Sequence, residues 1–546
     1  MRQIKSARQI KSARQISCAF VVGCLWLMSG NANAQQTLPR AGRNFTFGII
    51  EGPDNLSGGG ASLLTLTVLS PYGGTGIVAS PKGFVQQFAF VPNTATIIVL
   101  PDSLMHLNDL GKTTKGIQVH TTQPVNLVLH DYLTAAGDAT QILPDEALDT
   151  TYLISEWGLF NDVGEDNHSE FIVTAKQEAT AVTITPSETT MLGQPAGVPF
   201  TVVLNTGECY IVKSDISAGN NSTTLSGSTI SSSKPVSVIV GTTCAYVPLA
   251  VESCNELMDE LLGKKWWGEH FFVQPLGNLD SVVQLVVTSD KSFSVQINGA
   301  NAVSSAVGNG NQLQAQITGA GEIVASAPVE LQQLTRGSTF AIAGISDPTL
   351  VTILDTSAYS DTMMFYSPQF TGSTFQEWAP IIFPTAEAGS ILLDGLALSN
   401  YPETSTIIHG SAMSAINPSI GTGVHTIISP VPVFALGTGF DVADSYSFIA
   451  GTTLPYVQAG VTANNPVDIA FSLSVFPNPA MHYLTIVPTE PLASVQLLDP
   501  LGRVVKIVVH PPTPFTFDVS TIPNGSYFIV AKTNVSNAQS RVEVIH

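Results

Sequence analysis

The residues of this chain best suited to chemistry form one short polar cluster, Asn161-Asp162-Val163-Gly164-Glu165-Asp166-Asn167-His168. Ca²⁺ takes about 6–8 oxygen ligands, and carboxylates on a glycine-containing loop can supply them. We therefore interpret Asp162, Glu165 and Asp166 as a candidate calcium site. The alternative is a solvated acidic loop that holds no ion, because Asp and Glu are mostly exposed in proteins.

Linear motifs of known enzyme and cofactor sites are absent from the sequence. It contains no His-Glu-x-x-His, Gly-x-Ser-x-Gly or Cys-x-x-Cys, and none of the ten histidines has the i, i+4 partner of a metal-binding helix. Gly111-Lys112-Thr113 ends like a phosphate-binding loop, but His106 stands where the first glycine is required. We predict no catalytic residue and no cofactor. A hydrolase whose acid pair lacks a linear motif is the enzymatic alternative.

Three tryptophans are candidates for a binding surface. Trp266, Trp267 and Trp378 have the side chains that stack on sugars or fill the centre of a protein interface. Successive side chains of a strand point to opposite faces, so one member of the adjacent pair is expected in the core.

The elements that position these residues are predicted to be strands. Four runs rich in valine or leucine each contain a proline, at Pro124, Pro235, Pro328 and Pro432, and these lie 111, 93 and 104 residues apart. Proline has a fixed φ and no N–H, so we expect each one to begin a strand or to lie on an edge strand. The spacing predicts about four repeats of roughly 100 residues, the size of a β-sandwich.

Two repeats contain a further pair of strand-like runs. These are Phe171–Ala175 with Thr180–Ile184, and Val283–Thr288 with Phe293–Ile297. Polar turns separate the runs, so each pair is predicted to form a hairpin. The patterns together predict an all-β body of tandem β-sandwich-like units over residues 41–451. A β-propeller with blades of half that length is the alternative.

Composition favours an extracellular β protein with several domains. Of the 546 residues, 11% are charged and 44% are hydrophobic, and the formal net charge is −20. Without the five cations of the N-terminal leader the charge becomes −25. No basic stripe compensates for it, which argues against nucleic acid and anionic membranes as partners. The length exceeds that of a single core, so several domains are expected.

The N-terminus has the features of a signal peptide. Ala32-Asn33-Ala34 supplies small residues at the two positions that a signal peptidase reads, and we predict removal of residues 1–34 by cleavage after Ala34. The lipobox-like Val21-Val22-Gly23-Cys24 is the alternative and would make a lipoprotein. No other stretch reaches the roughly 20 apolar residues of a membrane span, so no transmembrane segment is expected in the mature chain. Five cations precede the apolar run 18–28: Arg2, Lys5, Arg8, Lys11 and Arg14.

The last residues, 471–546, alternate short apolar runs with turn residues, which predicts a small antiparallel, immunoglobulin-like sandwich of about seven strands. In order and spacing the segment resembles the type A C-terminal sorting domain of the type IX secretion system of Bacteroidetes. The resemblance implies export to the outer cell surface or the medium, with residues 452–470 as the linker before the domain. A terminal domain that directs nothing is the alternative. The residues that carry the pattern are Pro477, Asn478, Pro479, Tyr527 and two turn glycines expected at positive φ, Gly502 and Gly525.

The most specific stretch of the body begins in the second repeat. Lys234-Pro235-Val236 is followed by Gly241-Thr242-Thr243-Cys244, then Val247-Pro248, Cys254 and Trp267-Gly268-Glu269-His270-Phe271. This order resembles the N-terminal domain of IgGFc-binding proteins over about residues 41–350, although Asn255 stands where an aspartate is common. The resemblance implies binding rather than catalysis. It rests on framework strands and the cysteine pair, so it does not by itself transfer Fc binding to this chain.

Three cysteines remain once the leader is removed. An oxidising route to the surface favours a disulfide bond between Cys244 and Cys254, which closes a short loop and is worth roughly 2–3 kcal/mol by loop-closure entropy. Cys209 lies in a strand-like run and is expected to be a buried, unpaired thiol.

The sequence therefore predicts a secreted or cell-surface protein that binds or adheres without catalysing a reaction. The expected partners are the type IX secretion machinery and an extracellular glycoprotein, glycan or other surface protein. The alternatives are the hydrolase described above and a passive component of a surface layer. A close carboxylate pair in a deep cleft would favour the enzyme, and an aromatic-bearing face would favour the binding protein.

Overall fold

The fold comes from a computed structural model. The structure describes residues 38–52, 62–133, 136–157, 168–216, 224–248, 254–277, 280–305, 311–340, 345–370, 373–442, 444–452, 473–476, 480–488, 492–498, 504–509, 511–512, 515–533 and 537–546. Several expectations lie outside these residues: the leader 1–34 with Ala34, almost all of the linker 452–470, the calcium candidates Asp162, Glu165 and Asp166, and Pro477, Asn478, Pro479 and Gly502.

The described chain is all β, as the sequence predicts. Its described ranges contain no α-helix, and the helical turns are short 3-10 segments at Asp102–Leu104, Lys264–Trp266, Ser338–Phe340, Thr356–Ala358, Thr385–Glu387 and Leu398–Asn400. The chain divides into two compact units, one before residue 460 and one after it. We call residues 38–452 the body and residues 473–546 the tail.

The first half of the body contains two groups of strands, which we call modules 1 and 2. Module 1 consists of β1 Gly42–Phe47, β2 Leu63–Leu69, β3 Gly74–Ala79, β4 Val85–Phe90, β5 Thr96–Val99, β6 Gly111–Thr113, β7 Ile117–Leu133 and β8 Ala136–Ile142. Module 2 consists of β9 Asp149–Leu153, β10 Ser169–Ala175, β11 Thr180–Thr185, β12 Phe200–Leu204, β13 Cys209–Lys213, β14 Thr229–Tyr246 and β15 Cys254–Glu260. The short β6 pairs with β13 and so joins the sheet of module 2.

The second half of the body contains modules 3 and 4. Module 3 consists of β16 Gly268–Val273, β17 Val282–Ser289, β18 Phe293–Ile297, β19 Ala300–Ser305, β20 Asn311–Thr318, β21 Gly321–Leu334 and β22 Leu350–Ile353. Module 4 consists of β23 Ser360–Ser367, β24 Gln376–Trp378, β25 Ile381–Pro384, β26 Leu392–Leu393, β27 Leu396–Ala397, β28 Thr406–Ile407, β29 Met413–Ile416, β30 Ser419–Ile420, β31 Gly423–Asp441, β32 Asp444–Ile449 and β33 Gly451–Thr452.

One long strand in each module pairs with two different sets of neighbours along its length. The long strands are β7, β14, β21 and β31, with 17, 18, 14 and 19 residues. The first half of β7 pairs with β1 and β3, and its second half pairs with β2 and β8. In module 3 the first half of β21 pairs with β16 and β18, and its second half pairs with β17 and β22. Large clusters of buried apolar side chains, mainly Leu, Ile, Val and Phe, form the cores of the body.

The four prolines lie inside the long strands, so the prediction that they begin strands or lie on edges is wrong. In every module four residues that end in the proline face a single residue of the neighbouring strand. Proline is tolerated at such bulges because the ladder is already interrupted there, and a bulge bends its strand. Residues 121–124 face Arg43, 232–235 face Thr150, 325–328 face Glu269, and 429–432 face Asp361.

The two predicted hairpins are also wrong. β10 pairs with β13 and β14, whereas β11 pairs with β12 and β14. In module 3, β17 pairs with β20 and β21, whereas β18 pairs with β19 and β21. The members of each predicted pair bond to opposite halves of the same long strand. The turn between them therefore crosses from one half of that strand to the other instead of closing a hairpin.

The strand that follows each long strand faces the centre of the body. β8 contacts β15 and β32, and β22 contacts the same two strands, so the four strands close a ring. The carboxylate of Asp138 on β8 lies at this centre. It accepts hydrogen bonds from the backbone N–H groups of Met258 and Leu350, both at 3.2 Å, and of Ser447 at 3.4 Å. One side chain thus connects all four modules.

The two ends of the body meet where module 1 contacts module 4. Arg40 is 1% exposed, and its Nη1 donates a hydrogen bond to the carbonyl oxygen of Ala450 at 3.0 Å. The amide of Asn126 donates to the carbonyl oxygen of Thr452 at 2.9 Å. These bonds close the ring of modules.

The tail contains seven described strands in sheets of three and four, and every strand pair is antiparallel. Buried apolar side chains fill the space between the sheets. Gly525 opens its strand with φ of +156°, and the buried Tyr527 donates a hydrogen bond from its hydroxyl to the carbonyl oxygen of Pro523 at 2.8 Å. The strands are β34 Leu473–Phe476, β35 Tyr483–Pro488, β36 Ser494–Leu498, β37 Val504–Val509, β38 Phe515–Asp518, β39 Gly525–Lys532 and β40 Asn537–Val544.

Candidate functional site

The cysteines have structural roles. Cys244 and Cys254 are joined by a disulfide bond, with their Cα atoms 5.1 Å apart, across the pair β14 and β15. Cys209 is a fully buried free thiol on β13, 3.3 Å from the hydroxyl oxygen of Thr174. Burial raises the pKa of the Cys209 thiol to about 12. A thiol of this kind is a small apolar side chain and not a nucleophile.

The adjacent tryptophans do not lie in a strand, which corrects the expectation of opposite faces. Trp266 ends the 3-10 turn Lys264–Trp266 and Trp267 follows it, and both are half-buried against the core. The indole N–H of Trp266 donates to the carbonyl oxygen of Ala147 at 2.6 Å. The ammonium groups of Lys265 and Lys264 lie 5.0 and 5.8 Å from the ring centres of Trp266 and Trp267. The pair joins modules 2 and 3 and is largely engaged by the protein itself.

A cavity of about 670 Å³ lies between modules 3 and 4 and is open to solvent. Ligand sites in proteins span roughly 300–1,000 Å³, so this volume suits a small polar molecule or a few sugar units. Module 3 contributes Gln274, Gly277, Asp280 and Arg336 to the walls, and module 4 contributes Glu403 and Asn417.

An ion pair organises the module 3 wall of the cavity. The guanidinium of Arg336 donates from Nε to Oδ2 of Asp280 at 2.6 Å and from Nη2 to Oδ1 at 2.8 Å. A bidentate pair of this kind fixes the orientation of both side chains. On the module 4 wall, Oε1 of Glu403 accepts a hydrogen bond from the backbone N–H of Ser419 at 3.0 Å. The walls are therefore charged and held in place before any ligand arrives.

Two amide side chains of the walls retain hydrogen-bonding capacity. Nδ2 of Asn417 donates to the carbonyl oxygen of Pro275 at 3.0 Å and ties the walls together, while its Oδ1 accepts no hydrogen bond from the described residues. Gln274 is 4% exposed, and its Nε2 likewise donates to no described group. Both atoms are buried in the wall, so the amide groups must turn toward the cavity for a polar ligand to complete their hydrogen bonds.

Trp378, the third tryptophan proposed from the sequence for a binding surface, lies directly behind the cavity. The wall residue Gly277 has φ of +62°, and a Cβ atom built on it would lie 3.3 Å from Cδ1 and Nε1 of the indole. The glycine therefore allows the backbone to lie against the ring. Trp378 is 9% exposed and packs in the core beneath this wall, so it supports the cavity instead of presenting an open aromatic face.

Two carboxyl groups with raised pKa values lie elsewhere, at the centre of the body. Burial raises the pKa of Asp259 to about 7 and that of Glu260 to about 8. The Thr352 hydroxyl donates to Asp259 at 2.6 Å, and the Leu143 N–H donates to Glu260 at 2.6 Å. These acids bind neighbouring strands to one another and do not line the cavity. In the cavity itself, Asp280 is already engaged by Arg336.

Sequence reasoning missed the cavity residues except for the tryptophan behind them. Asp280 and Arg336 lie 56 residues apart, and Asn417 meets Pro275 across 142 residues. No linear motif joins them. Trp378 was the single usable signal, because tryptophan is enriched among the residues that contribute most to binding.

Comparisons with known proteins match both parts of the chain. Residues 138–439 match the family described as "IgGFc binding protein", and residues 474–545 match the family described as "Secretion system C-terminal sorting domain". The human IgGFc-binding protein is 24% identical over 363 residues, which cover 65% of this chain and 6% of the human protein. The chain thus spans a small fraction of that relative's length. The solved structure of Sidekick-1 immunoglobulin domains 1–5 covers 93% of the chain at 10% identity, with a TM-score of 0.13.

The sorting domain marks the chain as a type IX secreted or cell-surface protein. In the described ranges no helix combines the length and the apolar character that crossing a membrane requires. The family and the human relative are named as binding proteins and not as enzymes. Because the first match extends over more than half of the sequence, the chain belongs to the IgGFc-binding protein family.

Proposed function

We propose that this protein is a non-enzymatic adhesion protein that binds a carbohydrate, free or carried on an extracellular glycoprotein, in the cavity between modules 3 and 4. The observation that carries the proposal is the set of amide and charged groups on opposite walls, Gln274, Asn417 and the ion pair Arg336–Asp280. Sugars present hydroxyl groups in every direction, and a wall of fixed donors and acceptors matches them. The surface location and the family support a binding role.

A glycan and glycoprotein array probed with the secreted protein tests this function. We expect selective binding, and we expect Asn417→Ala to weaken it about tenfold, the effect of losing roughly 1.4 kcal/mol of hydrogen bonding. Glu188→Ala, at an exposed site in module 2, is the matched control and should bind normally. Binding that survives in both Asn417→Ala and Gln274→Ala variants would place the ligand elsewhere.

The array also separates the alternatives. Chemical turnover of a bound glycan would support the hydrolase, and the absence of any selective ligand would support a passive surface-layer component. A binding protein releases its glycan unchanged. The family resemblance does not by itself transfer Fc binding to this chain, and immobilised IgG Fc on the same array tests that binding directly.

The export route has its own test. We propose that the leader is cleaved after Ala34 and that residues 471–546 direct the type IX machinery. The N-terminal residue of the secreted protein should therefore be Gln35. Deleting residues 471–546 should retain the protein within the cell envelope, and its appearance in the medium would refute the role of the tail.

A further inference from the structure

Three ionisable side chains are buried together where module 1 contacts module 2. Glu51, Glu170 and Lys213 are 7%, 1% and 3% exposed. The ammonium nitrogen of Lys213 is in direct contact with Oε2 of Glu51, and Oε2 of Glu170 lies 3.6 Å from the same nitrogen. Oε1 of Glu170 accepts a hydrogen bond from the backbone N–H of Glu51 at 3.0 Å. Each member therefore touches the other two.

The strands of module 2 explain how the three side chains come together. Glu170 on β10 and Lys213 on β13 are directly opposite each other in the antiparallel ladder, so their side chains share one face. On its other side Glu170 faces Gly241 of β14. A Cβ atom on Gly241 would lie 2.3 Å from Cδ1 of Ile50. Because Gly241 has no side chain, the Ile50–Glu51 segment of module 1 can pack against the same sheet face as the Lys213 side chain.

The environment alters the chemistry of the pair. Burial lowers the pKa of Lys213 to about 8, and it raises the pKa of Glu170 well above its usual range. In a medium of low polarity the transfer of a proton from an ammonium to a carboxylate removes two charges that are costly to bury. Proton transfer from Lys213 to Glu170 therefore yields an amine that can attack a carboxyl group and an acid that can donate the proton that this attack requires.

We propose that Lys213 and Glu51 condense to form an intramolecular isopeptide bond, with Glu170 as the group that moves the protons. The neutral Nζ of Lys213 attacks Cδ of Glu51 while protonated Glu170 donates its proton to the Glu51 carboxylate, and a new N–C bond forms. Glu170 accepts a proton from the attacking nitrogen and delivers a proton to the departing hydroxyl. The C–O bond breaks, and one water molecule leaves. No oxidant, metal or activating co-substrate is consumed, and fixed proximity replaces the activation that a bimolecular condensation needs.

The bond would tie module 1 to module 2 covalently across 162 residues of chain. It would remain after reduction, unlike the disulfide Cys244–Cys254 within module 2. A covalent cross-link between modules suits a surface protein that must stay folded outside the cell, because the closed loop restricts the unfolded chain.

Peptide mapping by mass spectrometry tests the proposal on the full secreted chain after reduction and denaturation. We expect the peptides that contain Glu51 and Lys213 to appear as one branched species, lighter than their sum by one water molecule. The exposed ion pair Lys112–Glu208, with its atoms 2.7 Å apart, is an internal control and should give two unlinked peptides. Separate Glu51 and Lys213 peptides of full mass in the wild-type protein would overturn the inference.

Three variants assign the roles. Lys213→Met and Glu51→Leu each remove a reacting group, so the measured mass of each variant should equal that of its unlinked chain, without the loss of one water molecule. Glu170→Gln keeps both reacting groups and the shape of the site but removes the proton carrier, and it should also leave the chain unlinked. Full cross-linking in Glu170→Gln would overturn the role of Glu170. Because the wild-type mass alone decides whether the bond exists, that test does not depend on whether any variant folds.

Discussion

At the scale of single residues, Asp138 of module 1 is the side chain that forms hydrogen bonds with all three other modules. Its carboxylate accepts hydrogen bonds from the Thr349 hydroxyl at 2.6 Å and from the backbone N–H groups of Met258 and Leu350. It is 1% exposed, so water cannot replace these bonds. A buried donor left without its acceptor costs about 1–3 kcal/mol.

We expect Asp138→Ala to lower the free energy of unfolding of the body by about 3–5 kcal/mol, because several buried donors lose one acceptor together. Asp138→Asn keeps one acceptor oxygen and should cost less. Urea denaturation followed by tryptophan fluorescence measures both. Glu188→Ala at an exposed position is the control and should change the stability by less than about 0.5 kcal/mol. Equal stabilities for Asp138→Ala and the control would show that the central bonds are dispensable.

At the scale of elements, a bulge that ends in proline occurs in the long strand of every module. In three modules the first residue of the bulge bonds across it: the hydroxyls of Thr121, Ser232 and Ser429 donate to the carbonyl oxygens two residues on, at 2.8, 2.7 and 2.6 Å. Module 3 has Ala325 at the corresponding position. The bulge therefore forms without this bond, and the hydroxyl adds stability to a shape that the proline already favours.

We expect Ser232→Ala to cost about 1 kcal/mol of stability, the net worth of one hydrogen bond, without changing the fold. Ser231→Ala, at the exposed neighbouring position, is the matched control and should be nearly neutral. Thermal and urea unfolding of the two variants measure the difference. A cost above about 3 kcal/mol for Ser232→Ala would mean that the hydroxyl, and not the proline, specifies the bulge.

The bulges also show that the positions of strands can be predicted from the sequence, whereas their pairing partners cannot. The four prolines and their hydrophobic runs are visible in the sequence because each is local, and they correctly locate the four long strands.

The strand partners, in contrast, are distant in the sequence. β10 and β11 are separated by a short turn, yet they bond to opposite halves of β14. The periodicity of 2 reveals a strand but not its neighbour, so hairpins were predicted where crossings between the two halves of a long strand occur. The cavity and the Asp138 centre depend on such distant pairings and were not predictable.

At the scale of the whole molecule, buried acids make stability depend on pH. Glu260 and Glu377 have pKa values raised by burial to about 8, whereas an unfolded glutamate ionises near 4.5. The native state therefore holds more protons than the unfolded state between these values, and stability must fall as the pH rises through this window. Burial lowers the pKa of His106 to about 4 and that of His130 to about 3. These histidines act in the opposite direction, but only below about pH 6.5, where unfolded histidine takes up protons.

We therefore expect the body to lose stability from pH 6.5 to 8, by up to about 1.4 kcal/mol per pH unit for each of the two acids, and the other buried carboxyl groups with raised pKa values add to this loss. Urea midpoints at several pH values measure the slope. Glu260→Gln removes one of the two acids, and its slope should be shallower than that of the wild type. A stability that rises across this window would show that the two acids are ionised in the native protein.

The closed ring of modules predicts that the body unfolds as one unit. Arg40 donates to the carbonyl oxygen of Ala450 and joins the first module to the last, so its removal weakens the ring at one point. We expect Arg40→Ala to lower the free energy of unfolding by about 1–3 kcal/mol, because the hydrogen bond is lost and a buried carbonyl group is left unpaired.

Hydrogen exchange under native conditions measures this loss separately in one strand of each module, β2, β10, β17 and β31. If the ring is cooperative, protection falls by the same free energy in all four modules. If the modules are independent, it falls in modules 1 and 4 alone. Arg43→Ala, three residues further on and only half-buried, is the matched control and should leave the exchange pattern unchanged.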